Sequence, residues 1–101
     1  MLNKLTLTKT IQGLKNKKFS HRELYADVQK SIEQQNKDLN VYLTLNEKAL
    51  DTAEELLETP LAGVPIAVKD NFCTRDFRTT ASSKVLDTFK PQFESTVTSK
   101  L

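Results

Sequence analysis

Lys69, Asp70 and Asn71 stand directly after the apolar run Val64-Pro65-Ile66-Ala67-Val68. An amine, a carboxyl and an amide at the end of such a run could handle a proton. The run is too short for a helix and is bounded by Gly63 and Pro65, so it predicts a buried strand. Apolar walls at the end of a buried strand strip water from an ammonium and disfavour its charge. A lysine that is neutral near pH 7 can take a proton from a weakly acidic hydroxyl. An arginine in its place could not, because it does not release its proton. Lys69 is therefore the candidate catalytic residue. Asp70 either closes the turn after the strand or orients a neighbour, and Asp and Asn suit turns well enough that neither Asp70 nor Asn71 is assigned a catalytic role.

Other reactive side chains make weaker sets. His21 and Cys73 are the single histidine and the single cysteine of the chain. They lie far apart in sequence, and His21 follows Ser20 on what reads as an exposed first helical turn. An incidental thiol is the better reading of Cys73. One His and one Cys also argue against a zinc site built by this chain alone. Ser82 and Ser83 read as turn and helix-cap serines. Lys4, Lys9, Lys15, Lys17 and Lys18 read as a solvated face, because no aromatic stacking platform accompanies them to hold a nucleic acid.

The elements that must position these residues follow from periodicity. Thr6 or Thr8 can cap a first helix running to about Lys17, with Leu7, Ile11 and Leu14 on one face and a break over Asn16–Phe19. Ser20 and Glu23 form an S-x-x-E capping box for a second helix. Leu24, Val28 and Ile32 line its inner face, Arg22, Asp27, Lys30, Glu33 and Gln34 its outer one, and it is expected to end near Asn36. Leu39–Leu45 alternates apolar and polar residues and predicts a half-buried strand. Asn46 can cap a third helix over Glu47–Leu57, with Leu50, Ala53 and Leu57 inward. Pro60 and Gly63 close that segment. Arg75, Asp76 and Arg78 suggest an exposed turn, Ser83–Leu86 one helical turn, and Glu94–Leu101 the start of a further helix.

Composition narrows the function classes. The chain has 101 residues and a net charge of +2, which does not mark a nucleic-acid or membrane-surface binder. The charge is uneven: no acid precedes Glu23, while Glu47–Glu58 is acidic. A single cysteine rules out an internal disulfide and suits a reducing compartment. No apolar run approaches the ~20 residues of a membrane span, and no signal-peptide core is present. The basic, acid-poor N-terminus could mimic a mitochondrial presequence, although it holds no arginine before Arg22. A cytoplasmic protein is expected, with a mitochondrial one as the alternative. The apolar share of 38% is low for a self-sufficient domain, as suits part of a larger one.

Three words in the sequence, GVPIAVKDN at 63–71, TTASSK at 79–84 and FESTV at 93–97, resemble the amidase signature family in order and spacing. That family places a G-(I/V)-P-(I/V)-x-(I/V/L)-K-D strand before a T-T-x-x-S-K-x-L segment and an (F/Y)-(E/D/N)-(S/A)-T-V helix start. Many relatives carry a cysteine where Ala81 stands. SHRELYADVQKSIE and LNVYLTLNEKALDTAEEL resemble the helical lead-in of one branch, the amidase subunits of the glutamyl-tRNA(Gln) amidotransferases, so the likeness runs from about Leu5 to Leu101.

The resemblance implies an α/β amidase-signature fold, a mixed sheet covered by helices, of which this chain supplies the N-terminal portion. Residues 1–58 would be a mainly helical lead-in, and residues 59–101 the first sheet elements carrying the catalytic lysine. It also implies a Ser–Ser–Lys triad in which the lysine maps onto Lys69. Both serines belong to a later Gly/Ser-rich segment of the GGSSGGS type that nothing here matches: the chain has only Gly13 and Gly63, neither next to a serine. The expectation is an N-terminal fragment, inactive alone, of an enzyme that hydrolyses glutamine and supplies ammonia for turning Glu-tRNA(Gln) into Gln-tRNA(Gln). Subunits B and C would be its partners in a heterotrimer, tRNA would be met through the complex, and ATP and Mg²⁺ would be used by one of those partners, leaving this chain no cofactor of its own. Two alternatives stand beside this reading. One is another amidase-signature hydrolase acting on a small aliphatic or aryl amide. The other is a non-catalytic module that docks a protein or RNA through Ser20–Asn36 and Glu47–Leu57.

Overall fold

The computed structural model describes all residues from Met1 to Leu101 and divides into two units, Met1–Pro65 and Ile66–Leu101. Helices and turns make up both, and no strand forms.

In the first unit, helix α1 spans Leu7–Lys15, α2 His21–Leu39 and α3 Ala49–Ala53, with 3-10 turns at Leu2–Lys4 and Glu54–Leu56. Thr6 caps α1, its hydroxyl oxygen accepting from the Lys9 N–H at 3.3 Å. Helix α1 stops two residues before the expected Lys17, in a Schellman arrangement. The Lys18 N–H donates to the Gly13 carbonyl at 2.9 Å and the Lys17 N–H to the Leu14 carbonyl at 3.0 Å. This needs a left-handed residue, and Lys17 fills the place at φ 55°. The Phe19 ring folds back on Gly13, where a Cβ would lie 2.3 Å from Cε1. The inner face of α1 is Thr10, Gly13 and Leu14 rather than Leu7, which is exposed.

Helix α2 begins with the expected capping box. The Glu23 N–H donates to Ser20 Oγ at 3.2 Å, and the Ser20 N–H donates to Glu23 Oε2 at 2.7 Å. Those two Ser20 donors, backbone first and hydroxyl second, hold the Glu23 carboxyl below its ordinary range. The helix packs on the Leu2–Lys4 turn and on α3. Asp27 accepts from the Asn3 N–H at 2.8 Å, so this outer-face residue is partly covered. Leu14, Leu24, Ala53 and Ala62 form the apolar core. The helix expected over Glu47–Leu57 is α-helical only over Ala49–Ala53, and Asn46 does not cap it, its Oδ1 accepting instead from the Lys48 N–H at 3.1 Å. Of the expected inward line Ala53 is buried, while Leu50 and Leu57, the latter just past the 3-10 turn, are half-buried.

The strand expected over Leu39–Leu45 does not form. Helix α2 continues past Asn36 to Leu39 and is closed by Asn40 in the left-handed region. The Asn36 amide then occupies both backbone groups of Tyr42: Nδ2 donates to the Tyr42 carbonyl at 3.0 Å, and the Tyr42 N–H donates to Oδ1 at 2.8 Å. A side chain thus takes the place of a strand partner, and Leu39, Val41, Leu43 and Leu45 remain exposed.

In the second unit a 3-10 turn spans Lys84–Leu86 and helix α4 spans Thr96–Ser99. Ser95 caps α4, accepting from the Thr98 N–H at 3.1 Å. The buried residues are Thr79, Thr80 and Pro91, so hydrogen bonds rather than apolar packing join its segments. The Thr79 N–H donates to the Phe89 carbonyl at 3.0 Å, closing a loop over residues 80–88. Arg78, just before that loop, pairs with Asp87 within it at 3.0 Å.

The strand expected over Val64–Val68 is also absent, and with it the sheet elements expected in residues 59–101. Strands exist as members of a hydrogen-bonded ladder, and no second segment of this chain pairs with these residues. The Val64 N–H closes a turn onto Leu61 at 3.0 Å instead, and Ile66 and Val68 are 45% and 41% exposed.

Candidate active site

Lys69 occupies an exposed position at the head of a short turn, in which the Phe72 N–H donates to the Lys69 carbonyl at 3.1 Å. The apolar enclosure expected around it is not supplied by its neighbours, since Ile66, Ala67 and Val68 are themselves exposed. Its amine makes no ion pair within the chain.

Asp70 is bound from two sides. Its Oδ1 accepts from the Thr80 N–H at 2.9 Å, its Oδ2 accepts from the Thr80 hydroxyl, and its carbonyl accepts from the Ala81 N–H at 2.8 Å. Desolvation is the largest single influence on its carboxyl and opposes ionisation. The Thr80 hydroxyl and N–H, the Ser82 N–H and the Arg78 charge together outweigh it and hold Asp70 below the usual carboxylate range. The TTASS word thus wraps around an acid, and Ala81 and Ser82 take left-handed conformations, φ 48° and 59°, to do so. Ser82 and Ser83 are turn residues: their N–H groups return to Thr80 Oγ1 at 3.2 Å and to the Thr80 carbonyl at 2.8 Å. Ser83 makes no side-chain cap to the Lys84–Leu86 turn, contrary to its expected role.

The FESTV word ties the other end of the unit. Glu94 Oε2 accepts from the Arg75 N–H at 2.7 Å, and the Ser95 N–H donates to the Cys73 carbonyl at 2.7 Å. The Thr98 hydroxyl, the Arg75 N–H and the Arg75 charge keep the Glu94 carboxyl below its ordinary range against a smaller effect of burial. Cys73 is half-buried, with its carbonyl also taken by Thr98 Oγ1 at 3.2 Å.

In the first unit His21 departs from expectation. It is 5% exposed, and its Nε2 donates to the Ala62 carbonyl at 2.7 Å. Tyr25 Oη donates to the next carbonyl, Gly63, at 3.1 Å, and burial pushes its phenol up. His21 is a clamp on the Ala62–Gly63 turn, a structural role that spacing could not reveal. The early lysines, Lys4, Lys9, Lys15, Lys17 and Lys18, are all exposed, as a solvated face requires. No group of three or more His, Cys, Asp or Glu is arranged to hold a metal ion, and no helix is long and apolar enough to cross a membrane.

The amidase family's sequence profile matches residues 23–101, most of the chain and all three words. The chain belongs to the amidase family. Among curated proteins it is similar to the A subunit of the glutamyl-tRNA(Gln) amidotransferase of Natranaerobius thermophilus, 39% identical over 109 aligned residues covering 99% of this chain and 22% of the relative. The protein of the same name from Thermodesulfovibrio yellowstonii is 42% identical over 108, again covering 99% of this chain and 22% of the relative. That from Rickettsia bellii is 43% identical over 108, with the same two shares. The chain therefore spans about a fifth of the length of these relatives. No solved structure matches it. Membership supports the amidase-signature fold.

Proposed function

We propose that this chain is the N-terminal part of the glutamine-hydrolysing subunit of a glutamyl-tRNA(Gln) amidotransferase. The observation that carries the reading is the match of 99% of its length to proteins of that name, at 39% and 42% identity in two of them. Lys69 would serve as the base of a Ser–Ser–Lys triad. The nucleophilic serine attacks the side-chain amide carbon of glutamine, and its proton passes through the bridging serine to the Lys69 amine. As ammonium, Lys69 returns that proton to the departing ammonia. Backbone N–H groups of the Gly/Ser-rich segment would stabilise the oxyanion.

In this reading the mixed sheet is a property of the complete enzyme, and the serine-bearing segment covers the exposed residues 66–69. The ammonia goes to partner subunits B and C, where ATP and Mg²⁺ serve the conversion of Glu-tRNA(Gln) to Gln-tRNA(Gln). The protein works in the cytoplasm, in translation.

Lys69→Met in the complete enzyme tests the role. Ammonia release from glutamine should fall to background while expression and assembly with the partner subunits persist. Near-normal turnover in that variant removes Lys69 from the mechanism. The 101-residue chain by itself should release no ammonia.

A further inference from the structure

Three hydrogen bonds bind Asp70 to Thr80 and Ala81, two through its carboxylate and one through its carbonyl. Bonds to both the side chain and the main chain of one residue fix its position and its rotation. Lys69 is joined to that residue by a single planar peptide unit, and its own carbonyl is held by the Phe72 N–H at 3.1 Å. The far end of the attachment is firm as well: Thr79 and Thr80 are buried, and the Thr79 N–H is bonded to Phe89 at 3.0 Å. The Lys69 backbone is thus anchored while its side chain stays open to solvent. A base that must meet a serine hydroxyl within hydrogen-bond reach needs such a mount, because a displacement of ~1 Å can cost ~10²-fold in rate.

We propose that Asp70 is a positioning residue for Lys69, holding the lysine's backbone through its hydrogen bonds to Thr80 and Ala81. The proposal rests on the reading of Lys69 as the base. Its agent is geometry and not the charge of the carboxylate, and that separates two substitutions. Asp70→Ala removes both side-chain acceptors. Asp70→Asn keeps an acceptor for the Thr80 N–H and offers an amide N–H to the Thr80 hydroxyl oxygen.

The test is steady-state glutamine hydrolysis by the complete enzyme. Asp70→Ala should lower kcat ~10²-fold with KM changed less than about twofold, because substrate binding is not its task. Asp70→Asn should restore kcat to within about fivefold of the parent, as partial recovery of the same bonds requires. Three results overturn the proposal: a kcat for Asp70→Ala near the parental value, a loss confined to KM, or an Asp70→Asn enzyme as slow as Asp70→Ala. Should Asp70→Ala fail to fold, Thr80→Val, which removes the hydroxyl donor at little change in volume, takes its place. A loss of about tenfold in its kcat supports the proposal, and a full kcat overturns it. Lys69→Met separates the two readings. If it is active, the catalytic lysine fails; if it is dead while Asp70→Ala is normal, only the positioning role fails.

Discussion

The Nε2 atom of His21 lies 2.7 Å from the carbonyl oxygen of Ala62, forty-one positions further along the chain. This contact fixes the start of α2 to the turn that ends the first unit. The same turn leaves no space at its second residue: a Cβ on Gly63 would lie 2.2 Å from the Ala53 carbonyl oxygen and 2.9 Å from His21 Nε2, at φ +73°. Gly63→Ala should therefore destabilise the chain by roughly 2–4 kcal/mol, combining left-handed strain with a collision against main chain. His21→Ala should cost about 1–3 kcal/mol through the orphaned Ala62 carbonyl. Urea-unfolding midpoints check both, and a Gly63→Ala midpoint equal to the parent's would refute the packing of this turn.

Lys17 holds the left-handed place of the Schellman arrangement without being a glycine. Lys17→Gly should raise stability by about 0.5–1 kcal/mol, the relief of left-handed strain outweighing the extra freedom glycine gains when unfolded. Gly13→Ala should do the opposite although alanine favours helices, because its Cβ would meet the Phe19 ring at 2.3 Å. Thermal melts of the two variants should move in opposite directions, and parallel shifts would contradict the arrangement.

Asp70 and Glu94 both titrate below their ordinary range in the folded chain. A carboxyl whose folded pKa is lowered contributes stability that is complete above its unfolded value of about 4 and is lost as pH falls through the folded value. The urea midpoint should accordingly hold level from about pH 7 to pH 5 as far as these two groups set it, and drop below about pH 4. Asp70→Asn should lessen that acid drop. An unchanged acid profile in Asp70→Asn would show that its bonds to Thr80 do not favour the carboxylate.

Asn36 supplies both partners of the Tyr42 backbone. Asn36→Ala should free the segment after α2 at a cost of about 1 kcal/mol. Amide hydrogen exchange at Tyr42 should quicken with little change at Leu24, buried near the start of α2. Equal protection of Tyr42 in parent and variant would count against the bridging amide.

Much of the local structure is legible in the residues themselves. The Ser20–Glu23 box and the Thr6 cap depend on neighbours a few positions away, and both appear; the inward line Leu50–Ala53–Leu57 appears in part, with Ala53 buried and the two leucines half-buried. The two expected strands do not, because a ladder needs a partner from outside the segment; Tyr42 finds an amide side chain, and Ile66–Val68 finds none. His21 reads in sequence as an exposed first-turn residue because its acceptor lies in a distant part of the chain. The resemblance marks Lys69 and the words around it. What those words do for one another, the TTASS turn enclosing Asp70 and FESTV tying back to Cys73 and Arg75, is visible only in three dimensions.

The closure of residues 80–88 by Thr79 and Phe89 puts Val85, 91% exposed, out at the tip of a loop whose base is held independently. Exposed loop tips of this kind accept foreign sequence with least disturbance. Position 85 is thus a natural attachment point for an epitope tag or a fluorophore, and it offers a handle by which the chain could be immobilised or followed without touching the lysine.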